Sequence, residues 1–91
     1  MNKNRKNGQL KEILQEEIAW IVYHLHYGER ILGDRLVKDL KALSIGLDSK
    51  TQRDILIFVE QVQFQYDYDP WHQVTRDVKH AADRLIESLD L

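Results

Sequence analysis

The sequence predicts an all-α fold, a small antiparallel helical bundle of about four helices joined by short loops. Three observations predict it. Apolar residues recur at three- and four-residue steps through most of the chain, no stretch sustains strand-type alternation, and Gly, Asp and Pro punctuate the pattern at helix-length intervals. The nearest approach to alternation, Phe64-Gln65-Tyr66-Asp67-Tyr68, falls where a helical period is already running. At 91 residues and 43% apolar, the chain can build one core and is too short to divide into two. One Pro and four Gly exclude a collagenous or low-complexity chain, and the apolar fraction excludes disorder.

Residues 1–8 carry no apolar side chain after Met1 and read as a flexible basic arm ahead of a single domain over residues 9–91. Leu10, Ile13, Leu14, Ile18, Ile21, Val22 and Leu25 then line one side of a first helix, which Gly28 is placed to stop. Ile31, Leu32, Leu36, Leu40 and Leu43 repeat the pattern in a second. Gly33 costs that helix about 1 kcal/mol relative to Ala, and a kinked continuous helix through Gly28 stays open. Ser44 to Asp48 interrupt the period. Ser49 with Gln52 three residues on forms a capping-box signature, with Asp48 as the rival cap, ahead of Ile55, Phe58, Val59, Val62 and Tyr66 in a third helix. Asp69-Pro70 is the sharpest break, since Pro suits a first helical turn and Asp accepts backbone N–H bonds at a cap. A fourth helix is expected from Pro70, with Trp71, Val74, Val78, Ala81, Ala82, Leu85 and Leu89 as one apolar stripe.

Lys3, Arg5, Lys6 and Lys11 share the first eleven residues with no acidic side chain, so the formal net charge of −2 divides into +4 there and −6 beyond. No global field draws such a chain onto nucleic acid or anionic lipid. The absence of cysteine excludes disulfides, thiol nucleophiles, thiolate zinc sites and iron–sulfur clusters, and fits a reducing cytoplasm. Lys11, Glu12, Glu16 and Glu17 stand where a signal peptide needs an uncharged apolar run. A cytoplasmic protein with no membrane segment is expected.

Two of the helices carry more apolar surface than one stripe. At about 100° per residue, Trp20, Tyr23 and Tyr27 land opposite the aliphatic stripe of the first helix, and Ile57, Phe64 and Tyr68 do the same on the third. Either the first helix is central to the fold or another chain covers these faces. The second is the expectation, because Tyr and Trp bring large apolar area with a polar tip to interfaces and cyclic dimers are the commonest oligomer. The six residues are the expected protein interface, in a homodimer or against another protein.

Chemical motifs are sparse. His24, His26, His72 and His80 are the imidazoles; Asp77 and His80 have metal-ligand spacing on a helix, but a metal site needs three or four ligands. There is no Glu-x-x-His pair, no nucleophile elbow around Ser44, Ser49 or Ser88, and no Gly-rich phosphate loop. No metal, cofactor or catalytic residue is therefore expected. Arg76 with His80 resembles in outline the arginine–histidine motif of the all-helical nucleases of the HEPN class, which pair the two residues from both subunits of a dimer. That family's spacing is longer than the three intervening residues here. The resemblance implies a helical RNase as a minor alternative.

Ala42, Gly46, Leu47 and Ile55 fall at spacings that resemble the helix-turn-helix pattern of bacterial transcriptional regulators. In that pattern Ala lets two helices approach, Gly permits the turn, and apolar anchors hold the second helix. The resemblance implies that Ser49, Lys50, Gln52 and Arg53 open a recognition helix, with Lys3, Arg5 and Lys6 reaching round as a basic arm. Gln52 stands where the family has an apolar anchor, and Asp48 and Asp54 flank the reading surface. The leading expectation is a non-enzymatic protein-interaction module, a small regulator, adaptor or inhibitor, with DNA binding through residues around 38–57 as the alternative.

Overall fold

The computed structural model describes residues 2–68 and 73–89, with side chains from residue 9 onward. It is all-α: α1 spans Asn2–His26, α2 Arg30–Leu43, α3 Ser49–Tyr68 and α4 Arg76–Leu89, with a single 3-10 turn at Ser44–Gly46. The backbone of residues 2–8 belongs to α1, in the stretch the sequence sets apart as an arm. The two helical hairpins, α1 with α2 and α3 with α4, make the most extensive contacts and pack against each other.

Gly28 separates α1 from α2 completely. Its φ of 69° is the left-handed conformation a helix C-terminus favours. Glu29 N–H donates to His24 C=O at 2.8 Å and Gly28 N–H to Leu25 C=O at 3.1 Å, which is the Schellman pattern. Across the same turn His24 Nδ1 lies 2.9 Å from Glu29 Oε1.

Asp48 rather than Ser49 caps α3. Its carboxylate accepts from Thr51 N–H at 3.1 Å and from Thr51 Oγ1 at 2.6 Å. These bonds favour the ionised form and hold the Asp48 pKa below the ordinary carboxylate value. Gln52 makes no capping box; its Nε2 turns back to donate to Ile45 C=O at 3.1 Å and Leu47 C=O at 2.8 Å, closing the 3-10 turn.

The fourth helix starts later than expected. Residues 73–75 are non-helical, and α4 opens at Arg76 behind Thr75, whose Oγ1 accepts from Val78 N–H at 3.3 Å. Thr75 N–H is held in turn by Oε1 of the buried Gln65, at 2.9 Å. A side chain ten positions back thus sets the register, and Asp69, Pro70, Trp71 and His72 lie outside the described residues.

The core collects Leu14, Ile18, Ile21 and Leu25 of α1, Val37 and Leu40 of α2, Ile55, Phe58, Val59, Val62 and Tyr66 of α3, and Val78, Ala81, Ala82 and Leu85 of α4. Ile13, Ile31 and Leu32, expected on inward stripes, are exposed. Ile13 sits about 100° round from Leu14. At the head of α2 the inward position belongs to Gly33, where the Tyr66 ring approaches so closely that an added Cβ would meet its hydroxyl and lie 3.0 Å from Cζ. Tyr66 Oη donates to Glu29 C=O at 3.2 Å, and Arg30 Nη2 reaches Asp67 at 2.6 Å beside it. The end of α3 therefore lies level with the α1–α2 turn.

Candidate protein-interaction faces

The principal extents are 45 × 20 × 17 Å. With helices about 10 Å in diameter, two layers fill the shorter dimensions. No helix can be central, so each presents an outward face.

All six residues expected at an interface lie on such faces, from Ile57 at 41% exposed to Tyr68 at 75%. On α1, Trp20 and Tyr23 meet edge to face with centroids 5.5 Å apart, and Tyr23 and Tyr27 continue the ladder at 4.9 Å. His24 stacks on Trp20 at 5.9 Å. On α3, Phe64 and Tyr68 pair at 4.7 Å. Of the seven aromatic residues whose side chains are described, only Phe58 and Tyr66 are in the core. Isolated exposed apolar residues are ordinary; here the exposed rings are grouped on one face of each helix. Ile13 lies on the same side of α1, and the turn-by-turn winding of the helix already places it there.

Tyr23 and Tyr27 also edge an open groove of about 300 Å³ between α1 and the start of α4, with Val22, His26, Val74 and Lys79 among its walls. It offers one ammonium and an imidazole over an apolar floor. Among the described residues no three His, Asp or Glu converge to hold a metal. Asp77 is exposed on α4, as are Arg76 and His80, the pair behind the nuclease resemblance.

The structure places the nucleic-acid candidates differently from what the helix-turn-helix resemblance implies. Ala42 is exposed, so no helix approaches it closely. Gly46 is not left-handed, and a Cβ there would meet nothing within 4 Å. Leu47 and Ile55 do pack into or against the core. Gln52 is engaged with the turn carbonyls, and Lys50 Nζ donates to Ser88 Oγ at 2.9 Å and to Asp54 at 3.3 Å. Ser88 also hydrogen-bonds Asp54, so this trio ties the head of α3 to the end of α4. Of the four, Ser49 and Arg53 are exposed with other work unassigned; the side chains of Lys3, Arg5 and Lys6 lie outside the described residues.

Sequence reasoning missed Gln65 and Thr75, a buried side chain and the cap it positions, because the link is a contact between helices. It also missed Gly33 as a point of close approach, which only the facing Tyr66 explains. Among the described residues, no helix is long and apolar enough to cross a membrane. No family model matches the chain, and no curated protein and no solved structure matches it.

Proposed function

We propose that this chain is a non-enzymatic protein-interaction module, a small regulator, adaptor or inhibitor that docks on protein surfaces through the outer faces of α1 and α3. The observation behind this reading is the placement of aromatic side chains. Five of the seven described lie outside the core, in two clusters that wind on single helix faces. Large aromatic side chains dominate the energetics of protein interfaces, and a fold that needed them for its own stability would bury them. The reducing cytoplasm is the compartment that suits a chain without cysteine.

The test is cross-linking in cells from a photoreactive residue placed at Tyr27 or Phe64, with the exposed Glu87 on α4 as the control position. Discrete protein adducts from the two aromatic positions and none from the control are expected. Equal, diffuse labelling from all three positions would remove the docking assignment.

A further inference from the structure

The arrangement of the two faces says which occupant they suit. α1 and α3 each touch all three other helices, while α2 and α4 do not touch each other among the described residues. α1 and α3 are therefore the close diagonal pair, with their core sides turned toward one another. Their aromatic faces point to opposite sides of the molecule.

The faces are also complementary along their length. The outer side of α1 runs from the exposed Glu12 and Glu16 to Trp20, Tyr23 and Tyr27; that of α3 runs from the exposed Arg53 through Ile57 to Phe64 and Tyr68. Glu16, Trp20 and Tyr27 have the same spacing, four and then seven, as Arg53, Ile57 and Phe64. Within one copy the ends of α1 and α3 already lie level, since Tyr66 bonds Glu29 and Arg30 bonds Asp67. A second copy shifted sideways without rotation thus brings Tyr27 level with Phe64, Trp20 with Ile57, and Glu16 with Arg53.

We infer that the occupant of each face is a second copy of this chain, bound head to tail with the α1 face of one on the α3 face of the next. This rests on the docking reading above and names its partner. Symmetric pairings do worse. Joining two α1 faces in parallel sets Glu12 and Glu16 against their own copies, and joining them antiparallel slides the aromatic ladder onto those carboxylates. Joining two parallel α3 faces opposes Arg53 to itself. An antiparallel α3 pair sets Ile57 on Phe64 and Arg53 on Tyr68 but brings no opposite charges together; the mixed pairing does both. At about 200 Å² per large side chain, the exposed fractions leave roughly 300 to 350 Å² on each set of three residues. The two sets together bring roughly 650 to 700 Å² to one contact, the larger share of the roughly 1,000 Å² that a specific interface needs. The rings supply affinity, and the charges set register and exclude the symmetric alternatives. Because the faces are on opposite sides, the contact does not close on two copies. It propagates as an open row.

The test mixes two variants of the purified chain, each checked for native helicity and melting: Trp20→Asp to block the α1 face and Phe64→Asp to block the α3 face. Light scattering of the parent should show a mass that climbs with concentration past twice 10.8 kDa without a plateau at two copies. Each variant alone should stay at one copy, and the equimolar mixture should form a pair and stop there. A second arm avoids the core altogether: Arg53→Glu, or Glu12→Arg with Glu16→Arg, should weaken assembly roughly two- to fivefold, and combining all three in one chain should restore it. A parent that stays single at every concentration overturns the inference while leaving the docking reading to the in-cell experiment. A plateau at two copies, with either blocked variant still pairing by itself, overturns the head-to-tail contact in favour of a symmetric one.

Discussion

Gly33 shows how a single position can oppose its own helix propensity. In an isolated helix Gly33→Ala would gain about 1 kcal/mol, yet here the added methyl meets the Tyr66 hydroxyl and ring. Displacing Tyr66 forfeits its bond to Glu29 and overpacks the joint, so we expect Gly33→Ala to lose about 1 to 2 kcal/mol in urea unfolding. In a Tyr66→Phe background the hydroxyl is gone and the same substitution should become neutral or stabilising; an equal loss in both backgrounds would remove the hydroxyl from the account. Burial, with Asp34 and Glu29 nearby, pushes the Tyr66 phenol up to about 12, which keeps it a donor wherever the chain folds. Glu17 behaves in the opposite sense to Asp48. Burial, then the nearby Asp39 and Glu16, raise its pKa, and its Oε2 is buried with no hydrogen-bond partner. A carboxyl that holds its proton more tightly when folded destabilises the fold as pH rises from the unfolded value through the folded one. Glu17→Gln should therefore raise the melting temperature at pH 7, and the gain should shrink as the pH is lowered toward the ordinary carboxylate range. A gain independent of pH would point to packing instead.

At the scale of elements, the joint between α2 and α3 separates two readings of neighbouring residues. A recognition helix would use Gln52 and Arg53 alike. In the fold they differ, because Gln52 closes the 3-10 turn through two carbonyls while Arg53 is exposed. Gln52→Ala should cost about 1 to 2 kcal/mol of stability and Arg53→Ala no more than about 0.5, measured by chemical denaturation of the dilute protein. Similar small effects from both would deny Gln52 its place in the turn. The candidates for the α1–α2 break and the α3 cap were legible in the sequence because Gly28 and Asp48 act within a few residues of themselves, although the capping box read from Ser49 and Gln52 gave way to the rival Asp48. The start of α4 was not, since Thr75 is held by Gln65 from another helix, and the conspicuous Asp69-Pro70 outweighed a lone Thr.

At the scale of the whole molecule, a body two helix layers thick leaves every helix with an outward side, and α1 and α3 happen to fill theirs with rings. If those rings bind copies of the chain in the native state only, association stabilises that state by mass action. The melting temperature of the parent should rise with protein concentration; at a hundredfold excess over Kd the linkage is about 2.7 kcal/mol, worth roughly 10 to 20 °C in a domain of this size. A chain carrying both Trp20→Asp and Phe64→Asp should melt at one temperature throughout. A concentration-independent parent would contradict the proposed self-contact.

By itself the sequence determined the helical class, the interruption before α3, and which side chains share the second faces of α1 and α3, while at Gly28 it left a kinked continuous helix open. Those features follow from the period of the helix and from punctuation by Gly and Asp, which are local. Only the tertiary structure decided that no helix is central and that neither aromatic face is covered within one copy of the chain. It also decided that Gly33 and Gln65 are structural keys and that Ala42, at the end of α2, is exposed. Each of those depends on what stands across the core, a neighbour that chain spacing does not specify.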